Sequence, residues 1–530
     1  MKKYLLMALA ALSFAACAEK GEDNTSTQNG ELEQSYVAVT LTADDINTRA
    51  ADGKYEEGLA EERKVESAYV FFFEDGVAFP VAFDGDTSTN AGAKNYLKVT
   101  LSGNKEAMDN VSDVKDAVLV LQNYKGEYPN QMVALINWTP NPNKDSYSLA
   151  ELRAEVSALG NKDAGFVMSN AVYAEEQATQ TVDAVNLTVK NICKTPEEAL
   201  LKPVTIHVER VAAKVVFTSN ADGKFKVGEV DDTVDGKKYN VHAQIKGFEL
   251  YNDYEQSWLI KKISPEWTGL GFNWNDEDWY RSYWATSLDT AFPENSFAWN
   301  SDNTDINGWV YCGENTREWT EAKDFRTKVI VKAQLVDDNN NPLTLVNWYG
   351  KDYIGEDHLK KVVANTLKST YFVGNADGTV FTSITPEDIK CVARDPKAKN
   401  AYEVYFVIAN ESKGKNWYKY ENGAYFKVEL DRVNTDLAAA QPAHVYTNGM
   451  TYYWLDIKHL GQTGSTAEYG VVRNHVYKVN ISGIQGYGTP VYNGDTAYLT
   501  PEKPVDISSY VSAQINILSW RVVANDYELN

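Results

Sequence analysis

Cysteine is scarce in this 530-residue sequence, with four in all, and neither Cys-x-x-Cys nor His-Glu-x-x-His spacing occurs. A disulfide framework and the common zinc signatures are thereby excluded. Histidine is scarce as well: positions 207, 242, 358, 444, 459 and 475 complete the set. His207, in TIHVERVAAKVVF, and His475, in RNHVYKVNI, read as strand residues rather than as bases or ligands. No Gly-x-Ser-x-Gly elbow or phosphate loop is present. Carboxylates abound, but no two stand out as a glycosidase pair, whose geometry is spatial. Positive charge is in deficit, with 51 basic against 74 acidic residues and a net charge of −23. Such a surface disfavours nucleic acid and anionic headgroups. No enzymatic activity, metal or cofactor is expected, and stability must come from core burial.

The sequence opens MKKYLLMALAALSFAACAEKGEDNTSTQNG. Lys2 and Lys3 precede an apolar run from Tyr4 to Ala16, too short to span a bilayer and followed by Cys17. This is the pattern of a secretory signal. Ala15 and Ala16 before Cys17 resemble a bacterial lipobox, with Phe14 where that motif prefers Leu. Cys17 would then be acylated and tether the chain to a membrane. No second run approaches the length of a membrane span, and residues 18–34 are polar and aperiodic.

Strand patterning fills most of the remainder. Segments 35–42, 67–75, 96–103, 117–124, 131–139, 204–219, 241–252, 327–336, 400–410, 424–430, 452–460 and 474–484 are rich in Val, Ile, Tyr, Phe and Thr. Gly, Asn and Asp clusters separate them. VDDNNNPLTL (336–345) reads as a hairpin turn rather than a calcium loop. SLAELRAEVSALG (148–160) predicts one clear helix: Leu149, Leu152, Val156 and Leu159 share a face, Ser148 and Glu151 form a capping box, and Gly160 supplies the stop. The expected fold is mostly β, two antiparallel β-sandwich domains with a few short helices behind an N-terminal lipoprotein signal and propeptide. Nine of thirteen Trp lie between Trp258 and Trp348, and the domain boundary is placed near residue 265 at the onset of that enrichment. Spans follow as 1–16 signal, 17–49 propeptide, 50–265 N-terminal domain and 266–530 C-terminal domain. The Trp-rich stretch around 267–299 suits either a sandwich core or a sugar-stacking platform, the latter giving a surface glycan-binding lipoprotein as the alternative function.

The stretch ISSYVSAQINILSWRVVANDYELN (507–530) is among the strongest strand patterns in the sequence. Ile515 and Ile517 share one phase of alternation; Leu518, Trp520 and Val522 take up the other. Such a strand either closes the chain's own sheet or belongs in another molecule's. HVERVAAKVVF (207–217), DWYRSYWATS (278–287), YGVVRNHVYKVNISGIQGYGTPV (469–491) and ILSWRVVANDYEL (517–529), in this order, resemble the fimbrillins of Bacteroidales, the subunits of type V pili. The resemblance implies a cell-surface fimbrial subunit supporting adhesion, exported as an outer-membrane lipoprotein. It further implies removal of an N-terminal segment by an Arg-specific protease, then polymerisation with other copies or related pilins by donor-strand exchange. On that basis Arg49–Ala50, within the polar segment DDINTRAADGKYEEG, is the expected cut. The strand carrying Val37, Val39 and Leu41 is the removable one, and the strand at about 511–530 is the donor.

Overall fold

The computed structural model describes residues 32–42, 55–56, 58–83, 93–99, 117–124, 127–174, 181–219, 222–263, 285–293, 297–300, 306–317, 325–393, 402–459, 466–501 and 508–520. The architecture is mostly β, as the alternation predicts. Strands β1 (Leu32–Thr42), β3 (Ala68–Glu74), β4 (Ala117–Tyr124), β5 (Gln131–Ile136), β6 (Met168–Asn170) and β7 (Val204–Arg210) build the first sheet; β2 (Tyr55–Glu56) belongs to a later one. Along the first sheet the order is β3-β5-β6-β7-β1-β4. Strand AYVFFFE of β3 is apolar on both faces because both are covered. Val70 and Phe72 face a core with Val37, Val39 and Ile206. Phe71 and Phe73 face α1 (Leu149–Ala154) through Leu149 and Leu152.

The start of α1 follows the sequence: the Ser148 side chain accepts from Glu151 N–H at 3.2 Å, and the Glu151 carboxylate accepts from Ser148 N–H at 2.7 Å. Its end does not. The helix stops at Ala154, and Val156–Ala158 pairs with Gln256–Trp258 as a short strand. Gly160 lies in a second short strand with φ +79°, where a Cβ would meet the Gly165 carbonyl oxygen at 2.3 Å. The apolar spacing therefore outlasts the helix, since Leu159 reaches the same core from an extended segment.

Residues 204–219, which read as one strand, form two. β7 ends at Arg210 in the first sheet, and β8 (Ala212–Ser219) begins the second, with Val211 as the hand-over. Buried charges mark the crossing. Lys261 binds Glu209 at 2.9 Å and Lys214 binds Glu62 at 2.7 Å, every one of these side chains almost fully enclosed. Sheet membership thus changes at Val211, whereas residues 264–284, where the boundary was expected, lie outside the described residues.

Strands β9 (Lys224–Asp232), β10 (Lys237–Tyr251), β11 (Gly308–Gly313) and β12 (Lys328–Val336) follow. After β12 the chain leaves the sandwich through a tight turn, in which Asp337 accepts from the backbone N–H groups of Asn339 and Asn341, both at 2.8 Å. A lobe of its own comes next: β13 (Leu345–Trp348), β14 (Lys351–Ile354), α3 (Glu356–Leu367), β15 (Tyr371–Gly374), β16 (Phe381–Ser383), β17 (Ile389–Ala393), β18 (Glu403–Ile408), β19 (Asn416–Glu421), β20 (Ala424–Val428), α4 (Leu430–Ala438) and β21 (Ala443–Tyr446). Leu359 and Val363 of α3, Val433 and Leu437 of α4, Trp348, Phe406 and Trp417 form its core. The chain returns as β22 (Met450–Asp456), beside β12 with Ile330 opposite Trp454. It then continues to β23 (His475–Gln485), β24 (Thr489–Pro490) and β25 (Tyr510–Trp520). The second sheet has the order β2-β25-β23-β8-β11 and the third β9-β10-β12-β22-β24. They enclose Val215, Phe217, Val241, Phe248, Val331 and Val479, with Phe217 and Phe248 stacked at 4.6 Å.

Candidate assembly groove and C-terminal strand

β1 is an interior strand. It pairs antiparallel with β4, Val37 opposite Leu119 and Val39 opposite Ala117, and parallel with β7, Val39 opposite Val204 and Leu41 opposite Ile206. Val37 and Val39 are fully buried and Leu41 nearly so. The opposite face is covered too. Ala38 is enclosed by Cys193 and by Ala199 of a short helix, α2 (Pro196–Leu200) by position in the chain, which Thr195 caps. Tyr36 N–H donates to the Cys193 carbonyl and Cys193 N–H donates to the Tyr36 carbonyl, each at 2.9 Å. Removing β1 would uncover a groove between β4 and β7, exposing the core side chains Leu119 and Leu121 of β4 and Ile206 and Val208 of β7. The aliphatic burial of Val37, Val39 and Leu41 contributes about 5–9 kcal/mol gross.

β25 sits differently. It runs antiparallel to β23 in its own chain, from Tyr510 opposite Gln485 to Ser519 opposite His475, with a bulge at Ile481/Gly483. Its other side meets only β2 among the described residues, in parallel, Tyr55 opposite Ser519 and Glu56 opposite Trp520. Of the two placements left open by the sequence, the structure describes the one in the chain's own sheet. A bare row of backbone donors and acceptors is costly, and β23 satisfies one side of it. The backbones of Ile515, Ile517, Leu518 and Trp520 lie on this ladder; Val522 lies outside the described residues, as do Cys17, Arg49 and Ala50.

Beyond β2 the chain is anchored firmly. Glu62, in the 3-10 turn Ala60–Arg63, is fully buried between the two sheets. Its carboxylate accepts from Lys214 Nζ at 2.7 Å, from Leu59 N–H at 2.7 Å and from the Tyr311 hydroxyl, and its carbonyl accepts from Arg210 Nε and Nη2 at 3.0 and 2.8 Å. Burial alone would raise the Glu62 pKa, but the bonds from Lys214, Tyr311 and Leu59 outweigh it and hold the carboxyl below its ordinary value. This anchor has no sequence signature, because its partners come from β7, β8 and β11.

Other predicted positions read simply. His207 and His475 are strand residues of β7 and β23, and His475 Nδ1–H donates to the Arg473 carbonyl at 2.7 Å. Cys193, Cys312 and Cys391 are buried free thiols. Trp299 donates from Nε1 to the carbonyls of Ala333 and Thr451 at 3.2 and 3.0 Å, packing at the third sheet rather than standing out as a platform. Residues 264–284, which hold most of the Trp-rich stretch, are outside the described residues.

An enclosed N-terminal strand and a near-edge C-terminal strand, on a mostly-β chain, define a protein whose two ends differ in how they are held. Residues 444–526 match the family described as major fimbrial subunit protein type IV, fimbrillin, C-terminal. The matched region spans β22, β23, β24 and β25. Among solved structures, the fimbrilin FimA of Porphyromonas gingivalis W83 is similar at 12% identity and a TM-score of 0.37, covering 92% of this chain and 98% of that one. The tip fimbrial protein Mfa3 of Porphyromonas gingivalis, C-terminally truncated, is similar at 12% identity and a TM-score of 0.31, covering 92% and 100%. No curated protein sequence matches the chain.

Proposed function

We propose that this protein is a structural subunit of a cell-surface fimbria, assembled by exchange of its two end strands. The observation that carries the reading is the contrast between β1 and β25. Both are 11 residues long, but β1 fills an interior slot and β25 rests near a sheet edge. Residues 43–54, with Arg49 and Ala50, are the only covalent link between β1 and β2. A cut at Arg49–Ala50 frees β1 from the rest of the chain while Glu62 keeps the new N-terminal region docked. β1 then dissociates as a separate molecule, having lost the high effective concentration of a tethered strand. The vacated slot accepts β25 of a neighbour by strand addition. A tail that fills a slot elsewhere on the next copy is a heterologous contact and propagates into a filament.

In this reading the precursor is an outer-membrane lipoprotein acylated at Cys17, an Arg-specific protease matures it, and other copies or related pilins are its partners. The fimbrillin match over 444–526 supports the filament assignment. N-terminal sequencing of assembled material should begin at Ala50, and Arg49→Ala should leave a folded monomer without filaments. Filaments carrying an intact Arg49–Ala50 bond would sink the proposal.

A further inference from the structure

The lobe inserted between β12 and β22 carries a cleft of about 890 Å³ that plays no part in strand exchange. One wall is an outward stripe of α3 and its C-terminal cap, Lys361, Asn365 and Lys368, at the i, i+4, i+7 spacing of a single helix face. The other wall is β16, through Phe381, Thr382 and Ser383, and Thr233 at the β9–β10 turn also lines the cleft. The protein as a whole carries a net charge of −23, yet the charged residues lining this cleft are two lysines and no carboxylate. Lys360 next along α3 is ion-paired with Asp357, whereas Lys361 and Lys368 have no ion-pair partner among the described residues.

The β16 wall continues into an aromatic surface. Register places Phe372, Phe381, Tyr418, Tyr420 and Tyr425 on the same face of the sheet β16-β15-β19-β20, because Phe372 is opposite Tyr418, Gly374 is opposite Phe381 and Tyr420 is opposite Tyr425. The other face sends Tyr371 and Trp417 into the lobe core. Phe381 stacks on Tyr425 at 3.9 Å with the rings 6° from parallel, and Tyr418 meets Phe381 edge-on at 4.9 Å. Gly374 makes room for this: a Cβ there would stand 2.4 Å from the Tyr418 ring. Tyr420 and Tyr425 remain 40% and 39% exposed. Rings held in place by one another bind at low entropic cost.

We infer that this cleft binds a saccharide bearing a single carboxylate, its sugar ring against the Phe381 rim and its acid group between Lys361 and Lys368. A pyranose presents an apolar C–H face suited to aromatic rings and hydroxyls suited to Asn365, Thr382 and Ser383. The carboxylate matches the two free ammonium groups. The strongly acidic remainder of the chain repels polyanions, which restricts the ligand to an isolated charge. This site is independent of the assembly reading, and a failure of either leaves the other standing.

The full chain is titrated calorimetrically with 3′-sialyllactose and with cellobiuronic acid, against lactose and cellobiose as their neutral counterparts. At least one acidic sugar should bind about tenfold or more tightly than its neutral counterpart, as expected for a charge-assisted contact. Lys361→Ala/Lys368→Ala should remove that preference, and these exposed positions leave the fold untouched by thermal melting. Phe381→Ala should weaken both sugars of a pair. Equal affinity for acidic and neutral sugars, an unchanged preference in the lysine double variant, or no binding of either acid up to about 10 mM would each overturn the assignment.

Discussion

The two end strands of this chain match in length and differ in confinement. β1 has a neighbour on each side and packing on both faces; β25 has one long neighbour, β23, and a two-residue contact with β2. The confined strand cannot exchange while it is tethered, because leaving would expose the slot and the tether would return it. The near-edge strand can leave without breaking any ladder but its own and that of β2. In the proposed assembly, proteolysis is therefore needed at one end and not at the other.

The largest effects should come from deletion. Without residues 32–42, β4 loses its path to β7 among the described residues, and the urea midpoint of the first sheet should fall further than in any other variant while the second and third sheets stay folded. Without residues 510–530 the precursor should still unfold cooperatively in urea, because β23 keeps β8, while filaments vanish. A precursor that fails to fold without β25 would erase the contrast.

Cys193 sharpens the comparison. Its backbone is hydrogen-bonded to Tyr36 and its side chain packs with Ala38, so β1 shields it. Cleavage and loss of β1 should raise its labelling rate about a hundredfold or more, and assembly should restore protection. Cys312 and Cys391, buried elsewhere, should stay unlabelled throughout. Cys193 labelling that is indifferent to cleavage would place the opened groove elsewhere.

The smallest effect concerns what stays behind when β1 leaves. The folded Glu62 carboxyl lies below its ordinary value, so its contribution is fully present above the unfolded pKa of about 4.3 and fades as pH falls through the folded one. Glu62→Gln should cost about 3–5 kcal/mol at neutral pH by leaving Lys214 buried without its counter-charge. Urea midpoints from pH 7 to pH 3 should also decline less steeply in the variant than in wild type. Parallel curves would deny Glu62 the role of anchor.

Much of this was legible in the sequence. β1 announced itself through Val37, Val39 and Leu41, and β25 through its alternation, because a period of two survives without any knowledge of partners. The capping box of α1 was equally plain. What escaped depended on contacts remote in sequence. Cys193 and Ala199 cover β1 from some 150 residues away, and nothing at 193–199 says so. The break at Val211 was invisible because apolar residues continue across it. α3 was missed because Leu359, Val363 and Ala364 are a thin apolar stripe among charged residues. The near-edge placement of β25 could not be read at all, since pairing with β23 is a property of the fold.

The passage from β7 to β8 through Val211 also has a mechanical side. β7 is a wall of the β1 slot, and β8 lies beside β23 in the sheet that carries β25. In a fibre built by strand exchange, a pull on the inserted strand enters through β7 and reaches the second sheet along one unbroken peptide run, Val204–Ser219. Load directed along a strand shears its ladder, so the backbone bonds must yield together rather than in succession. The subunit then resists stretching through a covalent spar, and the buried Glu209–Lys261 and Glu62–Lys214 pairs brace that spar where it crosses between sheets.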